Sequence, residues 1–181
     1  MQAKDFSVSG QQSLFAGDNV RIPIGNVGLA FGNITKTGTY SANPTPPAQP
    51  PQGYFNSPAS VAYDIHTTAE YRDGVAVSIK FSGQGLTAAD KKQLHLLHLN
   101  GSVWEDITEG VDTANNIIRG RSLSLSPFGV YSSAQAVPEI NVPDMWPPHT
   151  GINTSGPVYM DSDGAKYISS GREINFKRLF E

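Results

Sequence analysis

The chain contains no cysteine. Disulfide bonds, thiolate metal sites and catalytic thiols are therefore excluded. Charge is also scarce, because charged residues make up 16% of the 181 residues and the formal net charge is −3. Binding to nucleic acid needs a basic surface, which this mild acidic balance does not supply. We therefore expect no nucleic-acid partner.

Long apolar runs are missing as well. No window approaches the roughly 18 consecutive apolar residues that cross a bilayer, so no membrane insertion is expected. The opening stretch, MQAKDFSVSGQQSLFAGDN, has one lysine and no apolar segment. It does not have the pattern of a signal peptide, and both a non-secreted protein and a mature form fit the sequence.

Glycine and proline are abundant, with 18 and 13 residues, and they separate short segments that alternate with a period of two. In GVAVSIKFSG the apolar residues recur at every second position, which predicts a half-buried strand: Val75, Val77, Ile79 and Phe81. Turn signals occur at Gly25-Asn26 and Asn100-Gly101. In LTAADKKQ, Thr87 as N-cap and Asp90 three residues later predict a short helix.

Strands spaced by about ten residues, with turns between them, predict an all-β fold. We expect an antiparallel β-sandwich with one short helix and an extended C-terminal arm. The predicted organisation is an N-terminal arm over residues 1–19, the sandwich over residues 20–133 and the C-terminal arm over residues 134–181. The proline-rich segment NPTPPAQPPQG is expected to be a surface loop within the sandwich.

The predicted C-terminal arm is irregular in pattern but carries aromatic residues. Unstructured segments are normally poor in aromatic residues, so we expect these rings to dock on protein. This makes them the predicted partner-binding residues: Trp146, Tyr159, Tyr167, Phe176 and Phe180. The docking surface is either the chain's own sandwich or a neighbouring subunit.

Three segments in order carry a family resemblance: AYDIHTTAEYRDGVAVSIKF, LTAADKKQLHLLHLNGSVWEDITEGVDTANNIIRG and SLSLSPFGVY. Together they resemble an uncharacterised β-sandwich domain that recurs in bacterial secreted and cell-surface proteins, often beside adhesive modules. The resemblance covers residues 20–133 and implies a sandwich fold and an extracellular or cell-surface location. It implies no reaction, because the family has none established. Many members carry cysteines where Ser78 and Arg119 stand here.

The chain is also distantly similar to the sandwich domains of netrin receptors and ankyrins, and to autoproteolytic domains of adhesion receptors. Some of the latter cut themselves before a serine or threonine that follows a His-Leu or His-Phe pair. Aligned to that motif, Ser126 is the nucleophile, Leu125 precedes it and Ser124 replaces the histidine. His95 or His98 would have to supply the base across the sheet.

A closing strand is the interpretation that we favour for RSLSLSPFGVY. Pro127 removes the backbone N–H directly after Ser126 and predicts a kink near a sheet edge. In this interpretation Leu123, Leu125 and Phe128 face the core. No catalytic residue is therefore predicted.

The sequence offers weak candidates for a metal site. His95 and His98 lie three residues apart and point to opposite faces of a regular strand, with no third ligand nearby. Asp161 and Asp163 have the spacing that begins a calcium loop, but Ala165 and Arg172 occupy two of the later ligand positions. A plain turn is favoured there, and Asp161 and Asp163 remain a weak calcium candidate. No cofactor is predicted.

A cluster of acidic residues in WEDITEGVD is expected to form a solvated sheet edge: Glu105, Asp106, Glu109 and Asp112. Trp104 alternates with these residues and is expected in the core.

These features predict a non-enzymatic structural or interaction subunit of a surface or particle assembly. A filament, an adhesive envelope protein and a virion-like component all fit, with self-association through the terminal arms into a homo-oligomer. The expected location is extracellular or at the cell surface, or in a particle made without a signal peptide. The alternative is a carbohydrate-binding or calcium-dependent adhesive module that uses Tyr54, Phe55 and Trp146. A self-cleaving domain is the third hypothesis.

Overall fold

The computed structural model describes residues 12–141 and, beyond them, the backbone of residues 159–160 and 166–167. The fold is an all-β sandwich of two antiparallel sheets, as predicted. Sheet I contains, in spatial order, β1 (Gln12–Leu14), β4 (Gly38–Thr45), β6 (Val61–Thr67), β12 (Pro127–Ser133), β8 (Leu94–Asn100) and β9 (Val103–Asp106), with β5 (Tyr54–Phe55) also paired to β12. Sheet II contains β10 (Thr108–Asp112), β11 (Ile117–Ser122), β7 (Glu70–Lys80), β3 (Val27–Lys36) and β2 (Gly17–Ile24). The helix α1 covers Ala88–Lys92, and β13 (Tyr159–Met160) pairs with β14 (Lys166–Tyr167).

The core lies between the two sheets and is built from alternate residues of their strands. Val75, Val77 and Ile79 of β7 are fully buried in it, as the period of two predicted. Leu96 of β8 and Phe128 of β12 contribute from sheet I. Burial of these side chains is the main source of stability, since each contributes roughly 1.5–3 kcal/mol.

The turns and the helix follow the local signals in the sequence. Gly25 adopts a φ of 54° in the turn between β2 and β3, and Gly101 adopts 62° between β8 and β9. Glycine reaches this left-handed region without steric cost. The capping box of α1 is present, because the Thr87 side chain accepts from the Asp90 N–H and the Asp90 carboxylate accepts from the Thr87 N–H.

The ordered sandwich begins before residue 20. Leu14 of β1 is buried in the core, and β1 pairs with β4 at the edge of sheet I. The Tyr40 hydroxyl donates to Gln12 Oε1 at 2.6 Å and fastens the same edge. Part of the predicted N-terminal arm therefore belongs to the sandwich, because Leu14 supplies apolar surface that the core buries.

The stretch RSLSLSPFGVY is not one closing strand. Its first residues end β11 in sheet II, its last residues belong to β12 in sheet I, and residues 123–126 connect the two sheets. The prediction that Leu123 faces the core is wrong, because this side chain is 84% exposed on the connection. Leu125 and Phe128 do pack on the core. Pro127 opens β12, where a missing N–H is tolerated even though β12 is a central strand.

After β12 the chain turns to the edge of sheet II. Val111 of β10 donates its N–H to Pro138 O at 2.9 Å, and Ile140 donates to Val111 O at 2.9 Å. Val111 and Glu139 form a parallel bridge. Lys92 of α1 supports this segment through an ion pair with Glu139 at 2.7 Å. The first residues of the predicted C-terminal arm thus extend sheet II beyond β10.

Candidate functional site: two histidine networks on strand β8

Strand β8 places its two histidines on opposite faces of sheet I. Its ladder with β12 is continuous from Leu94 to His98, without a bulge. His98 lies on the side of Leu96 and the core, and His95 lies on the outer side, as the sequence predicted. Both are buried, with 5% of His95 and 1% of His98 exposed.

Hydrogen bonds around His98 determine which ring nitrogen carries the proton. Ser126 Oγ lies 2.6 Å from Leu99 O and 2.5 Å from His98 Nε2. A carbonyl oxygen only accepts, so the Ser126 hydroxyl donates to Leu99 O. His98 Nε2–H must then donate to Ser126 Oγ, and His98 Nδ1 accepts from the Ser122 hydroxyl at 3.3 Å. Ser122 Oγ in turn accepts from the Ser124 N–H at 3.2 Å.

This arrangement bears directly on self-cleavage. The structure does bring together Ser126 and His98, which are the nucleophile and the base of that hypothesis. However, a histidine that donates to the serine oxygen is not placed to accept its proton. Within residues 12–141 the non-glycine residues with positive φ are Asn19, Asp73 and Asn116, so the backbone at Ser126 shows no left-handed strain.

The His98 network is therefore a structural clamp. Burial lowers the pKa of His98, which keeps the ring neutral, and the ring stacks on Phe128 with 4.6 Å between centroids. The clamp fastens residues 122–126, which connect the two sheets, to β8.

His95 has the opposite protonation state. Its Nδ1 lies 2.6 Å from Asp106 Oδ2, and its Nε2 lies 3.1 Å from Gln135 O. Both partners are acceptors, so both ring nitrogens carry protons and the ring is an imidazolium. The hydrogen bond to Asp106 raises the pKa of His95, against the opposing effect of burial. The Tyr54 ring packs against the imidazolium edge to face, with 5.5 Å between centroids.

Asp106 is the centre of this second network. Besides His95, it accepts from the Tyr54 hydroxyl at 3.0 Å, the Thr108 N–H at 3.0 Å and the Thr108 hydroxyl at 2.5 Å. Burial alone would raise the pKa of Asp106, but the hydrogen bonds from His95, Thr108 and Tyr54 outweigh it and hold the pKa far below its usual range. The network joins β5, β8, β9 and the segment that follows β12.

The prediction of a solvated acidic edge is wrong for Asp112, whereas the Asp106 side chain is 32% exposed and stays at the solvated edge as predicted. Asp112 is 3% exposed, and its carboxylate accepts from the backbone and side-chain amides of Asn115 at 2.9 and 2.8 Å. Glu109 pairs with Arg119 at 3.0 Å and with Arg121 at 3.3 Å. These carboxylates hold loops and strands in place.

Tyr54 and Phe55, two residues of the carbohydrate-binding alternative, do not form one platform. Tyr54 and Phe55 are consecutive on β5 and therefore point to opposite sides. The Tyr54 hydroxyl is bound to Asp106, whereas Phe55 is 51% exposed. Trp146, the third residue of that alternative, lies outside the described residues.

Most of the predicted partner-binding residues also lie outside the described part of the chain. Tyr159 and Tyr167 are cross-strand partners in the backbone of β13 and β14. Trp146, Phe176 and Phe180 fall outside the described residues, as do the calcium candidates Asp161 and Asp163. Within residues 12–141, no three His, Asp or Glu side chains are grouped to hold a metal ion. The same part of the chain contains no helix of the length and hydropathy that a membrane span requires.

Sequence reasoning named both histidines and a pairing of Ser126 with His95 or His98, but it missed Asp106 as the partner of His95. Asp106 is 11 residues from His95, and Ser126 is 28 residues from His98. Only the strand register brings these pairs together, and no local pattern signals it. The available signal is LHLLHL, an apolar strand that contains two histidines, because buried histidines need hydrogen-bond partners. No family model, curated protein or solved structure matches the chain, so its resemblance to the bacterial surface domain stays a prediction.

Proposed function

We propose that this chain is a non-enzymatic structural or interaction subunit of a surface or particle assembly, in which the C-terminal arm contacts neighbouring subunits. A filament, an adhesive envelope protein and a virion-like component are the assemblies that fit. The observation that carries the proposal is the pairing of Pro138 and Ile140 with Val111. The arm thus leaves the sandwich along the edge of sheet II, where one parallel bridge joins Glu139 to Val111. Strand addition at such an edge is a common mode of protein association.

The state of the buried polar groups supports this proposal. His98 and Ser126 are engaged as a clamp between the sheets, and the buried His95 is engaged in an ion pair with Asp106. Each of these groups has the hydrogen-bond partners that a structural role needs, and no free base faces a nucleophile among them. The sandwich is therefore best suited to act as a scaffold.

The resemblance to bacterial surface domains gives a second line of support. Many members of that family carry cysteines at the positions of Ser78 and Arg119. Here Ser78 of β7 and Arg119 of β11 are direct cross-strand partners. The pair would lie side by side in a shared fold. We accordingly place the subunit outside the cell or at its surface, with a particle component as the alternative.

Removing the arm from the folded protein tests the proposal. A specific protease site inserted after Asn141 allows residues 142–181 to be cut off after purification. We expect the intact chain to form a dimer or larger assembly by light scattering and electron microscopy, and the cut chain to be a monomer. The core cluster lies between Leu14 and Val130, so the circular dichroism of the sandwich should persist.

The matched control is the chain without the inserted site, treated with the same protease. A cut chain that keeps the mass of the assembly would contradict the proposal. So would an intact chain that is monomeric at every concentration.

A further inference from the structure

The outer face of sheet II is buried where its side chains are small. On β7, Val75, Val77 and Ile79 point into the core, so Ala76 and Ser78 point outward. Outward residues of a sandwich normally meet solvent. Yet Ala76 is 2% exposed and Ser78 is 0% exposed.

The cross-strand neighbours of these two residues are short on one flank and are bonded to β10 on the other. On one flank, their partners on β3 are Ala30 and Gly28, which are too short. On the other flank, the partners on β11 are Arg121 and Arg119. The Nε atoms of both arginines lie within 3.3 Å of the Glu109 carboxylate on β10, so these side chains extend away from β7. We name the patch formed by Gly28, Ala30, Ala76 and Ser78 the small-residue face.

A second observation concerns the polar atom of this face. Ser78 Oγ is buried and has no hydrogen-bond partner among the described residues. Buried hydroxyl groups in native proteins nearly always have a partner, so an unpaired one directed outward indicates that a polar group approaches from that side. A polypeptide backbone supplies such groups along its whole length.

The route of the chain identifies the segment that reaches this face. Ile140 packs against Ile117, which also points to the outer side of sheet II. A Cβ atom on Gly110 would lie 2.7 Å from Ile140 Cγ2, so the chain passes directly over β10 at this point. Residues 142–181 follow. The five strands of sheet II span about 20 Å, a distance that about six extended residues cover.

We propose that residues 142–181 of the same chain dock on the small-residue face, with Ser78 Oγ bonded to the docked segment. Small side chains let a backbone and its aromatic rings approach a sheet closely, and the segment carries Trp146 as the first such ring after Ile140. The inference rests on the proposed function, since it assigns a surface to the arm. The arm is anchored on its own sandwich, and from there it reaches a neighbouring subunit.

The absence of cysteine makes a direct test available. Ser78→Cys introduces a single thiol that is nearly isosteric, and Lys80→Cys is the matched control on an exposed position of the same strand. In the intact folded chain we expect Ser78→Cys to react with a maleimide at least about 100-fold more slowly than Lys80→Cys. Cutting after Asn141 should bring the two rates within about tenfold of each other, since the thiol then faces solvent.

Three results would overturn the inference. The Ser78→Cys thiol reacts as fast as the control in the intact chain, or it stays protected after the cut while circular dichroism shows the sandwich folded. The third result is that the Ser78→Cys thiol loses its protection when the protein is diluted. Protection of this kind would come from the arm of a second copy. Ala76→Cys, on the same face, gives an independent reading if Ser78→Cys does not fold.

The docking of residues 142–181 and the assembly of subunits can be tested separately. Light scattering on the same samples reports assembly, whereas the thiol reports docking. A monomer with a protected Ser78→Cys thiol refutes the assembly and supports the docking. An assembly with a reactive thiol refutes the docking alone.

Discussion

Replacing Asp106 by asparagine is expected to lower the free energy of unfolding by about 3 kcal/mol, because it leaves a buried charge without its partner. His95 is 5% exposed and is bonded to Asp106 at 2.6 Å. Its second nitrogen faces Gln135 O, so the imidazolium has no other anion among its hydrogen-bond partners. Urea unfolding followed by tryptophan fluorescence measures the change, because Trp104 packs on Tyr131.

The chain supplies a matched control in a second His–Asp pair. His66 and Asp64 lie 2.9 Å apart, but the His66 side chain is 62% exposed, against 6% for His95. The two carboxylates are similarly exposed, at 35% for Asp64 and 32% for Asp106. Water screens such a pair, so Asp64→Asn is expected to change stability by less than about 1 kcal/mol. Equal effects of the two substitutions would show that burial of His95 is not what makes its pair with Asp106 strong.

The effect of Asp106→Asn should also depend on pH. The pKa of His95 is raised above 6.5, so its stabilisation is fully present below pH 6.5 and is lost as the pH rises through the folded-state pKa. The pKa of Asp106 is lowered from 3.8, so its stabilisation is lost as the pH falls below that value. The difference between the wild type and the variant should therefore be largest near pH 5–6 and smaller at pH 9.

The pKa of His98 is shifted in the opposite direction, but the effect of His98 on stability cancels in this comparison. Its pKa is lowered by burial, so protonation of the unfolded chain destabilises the fold as the pH falls below 6.5. Both the wild type and the variant carry this effect. A difference that stays constant from pH 5 to pH 9 would contradict the charged state that we assign to His95.

Replacing Gly129 by alanine is expected to destabilise the protein by at least about 3 kcal/mol, at the upper end for an overpacked site. A Cβ atom at this position would lie 2.3 Å from Cε2 of Tyr131. The ring cannot move aside, because Tyr131 is 0% exposed and packs edge to face on Trp104. β12 is also a central strand, held between β6 and β8, so its backbone has little freedom to shift. Thermal and urea unfolding measure the loss.

Gly32→Ala is the control for this substitution. Gly32 lies on β3 with a negative or extended φ, and the nearest atom to an added Cβ is Asp73 Cβ at 3.8 Å, an ordinary contact. We expect a change within about 0.5 kcal/mol there. A Gly129→Ala variant as stable as Gly32→Ala would mean that the Tyr131 ring is free to move and does not lock sheet I.

The sequence predicted those features that depend on neighbours along the chain. The alternation in β7, the glycine turn after β2 and the capping box at Thr87 all follow from local geometry, and the structure contains each of them. Leu123 shows the limit of this reasoning. It continues the alternation of RSLSLS, but the chain leaves sheet II at this point, and a period of two does not indicate where a strand changes sheets.

The candidate sites depend on contacts between distant residues, and these were largely beyond the reach of the sequence. Whether His95 is charged depends on Asp106 and Gln135, which strand pairing and the return of the chain after β12 bring to it. Ala76 and Ser78 alternate with the core residues Val75, Val77 and Ile79, so their place on the opposite face follows from the same period of two. Their burial, with 2% and 0% exposed, was not predictable from the alternation of β7 alone.

Hydrogen exchange on the intact, natively prepared chain tests the central claim most directly, namely that residues 142–181 are bound to protein. Exchange read by mass spectrometry compares peptides from this segment with peptides from β7 and β12. We predict measurable protection across the aromatic-bearing parts of residues 142–181, because bound backbone amides exchange only through opening. Complete exchange of the whole segment at the rate of an unstructured peptide, while β7 and β12 remain protected, would contradict the account.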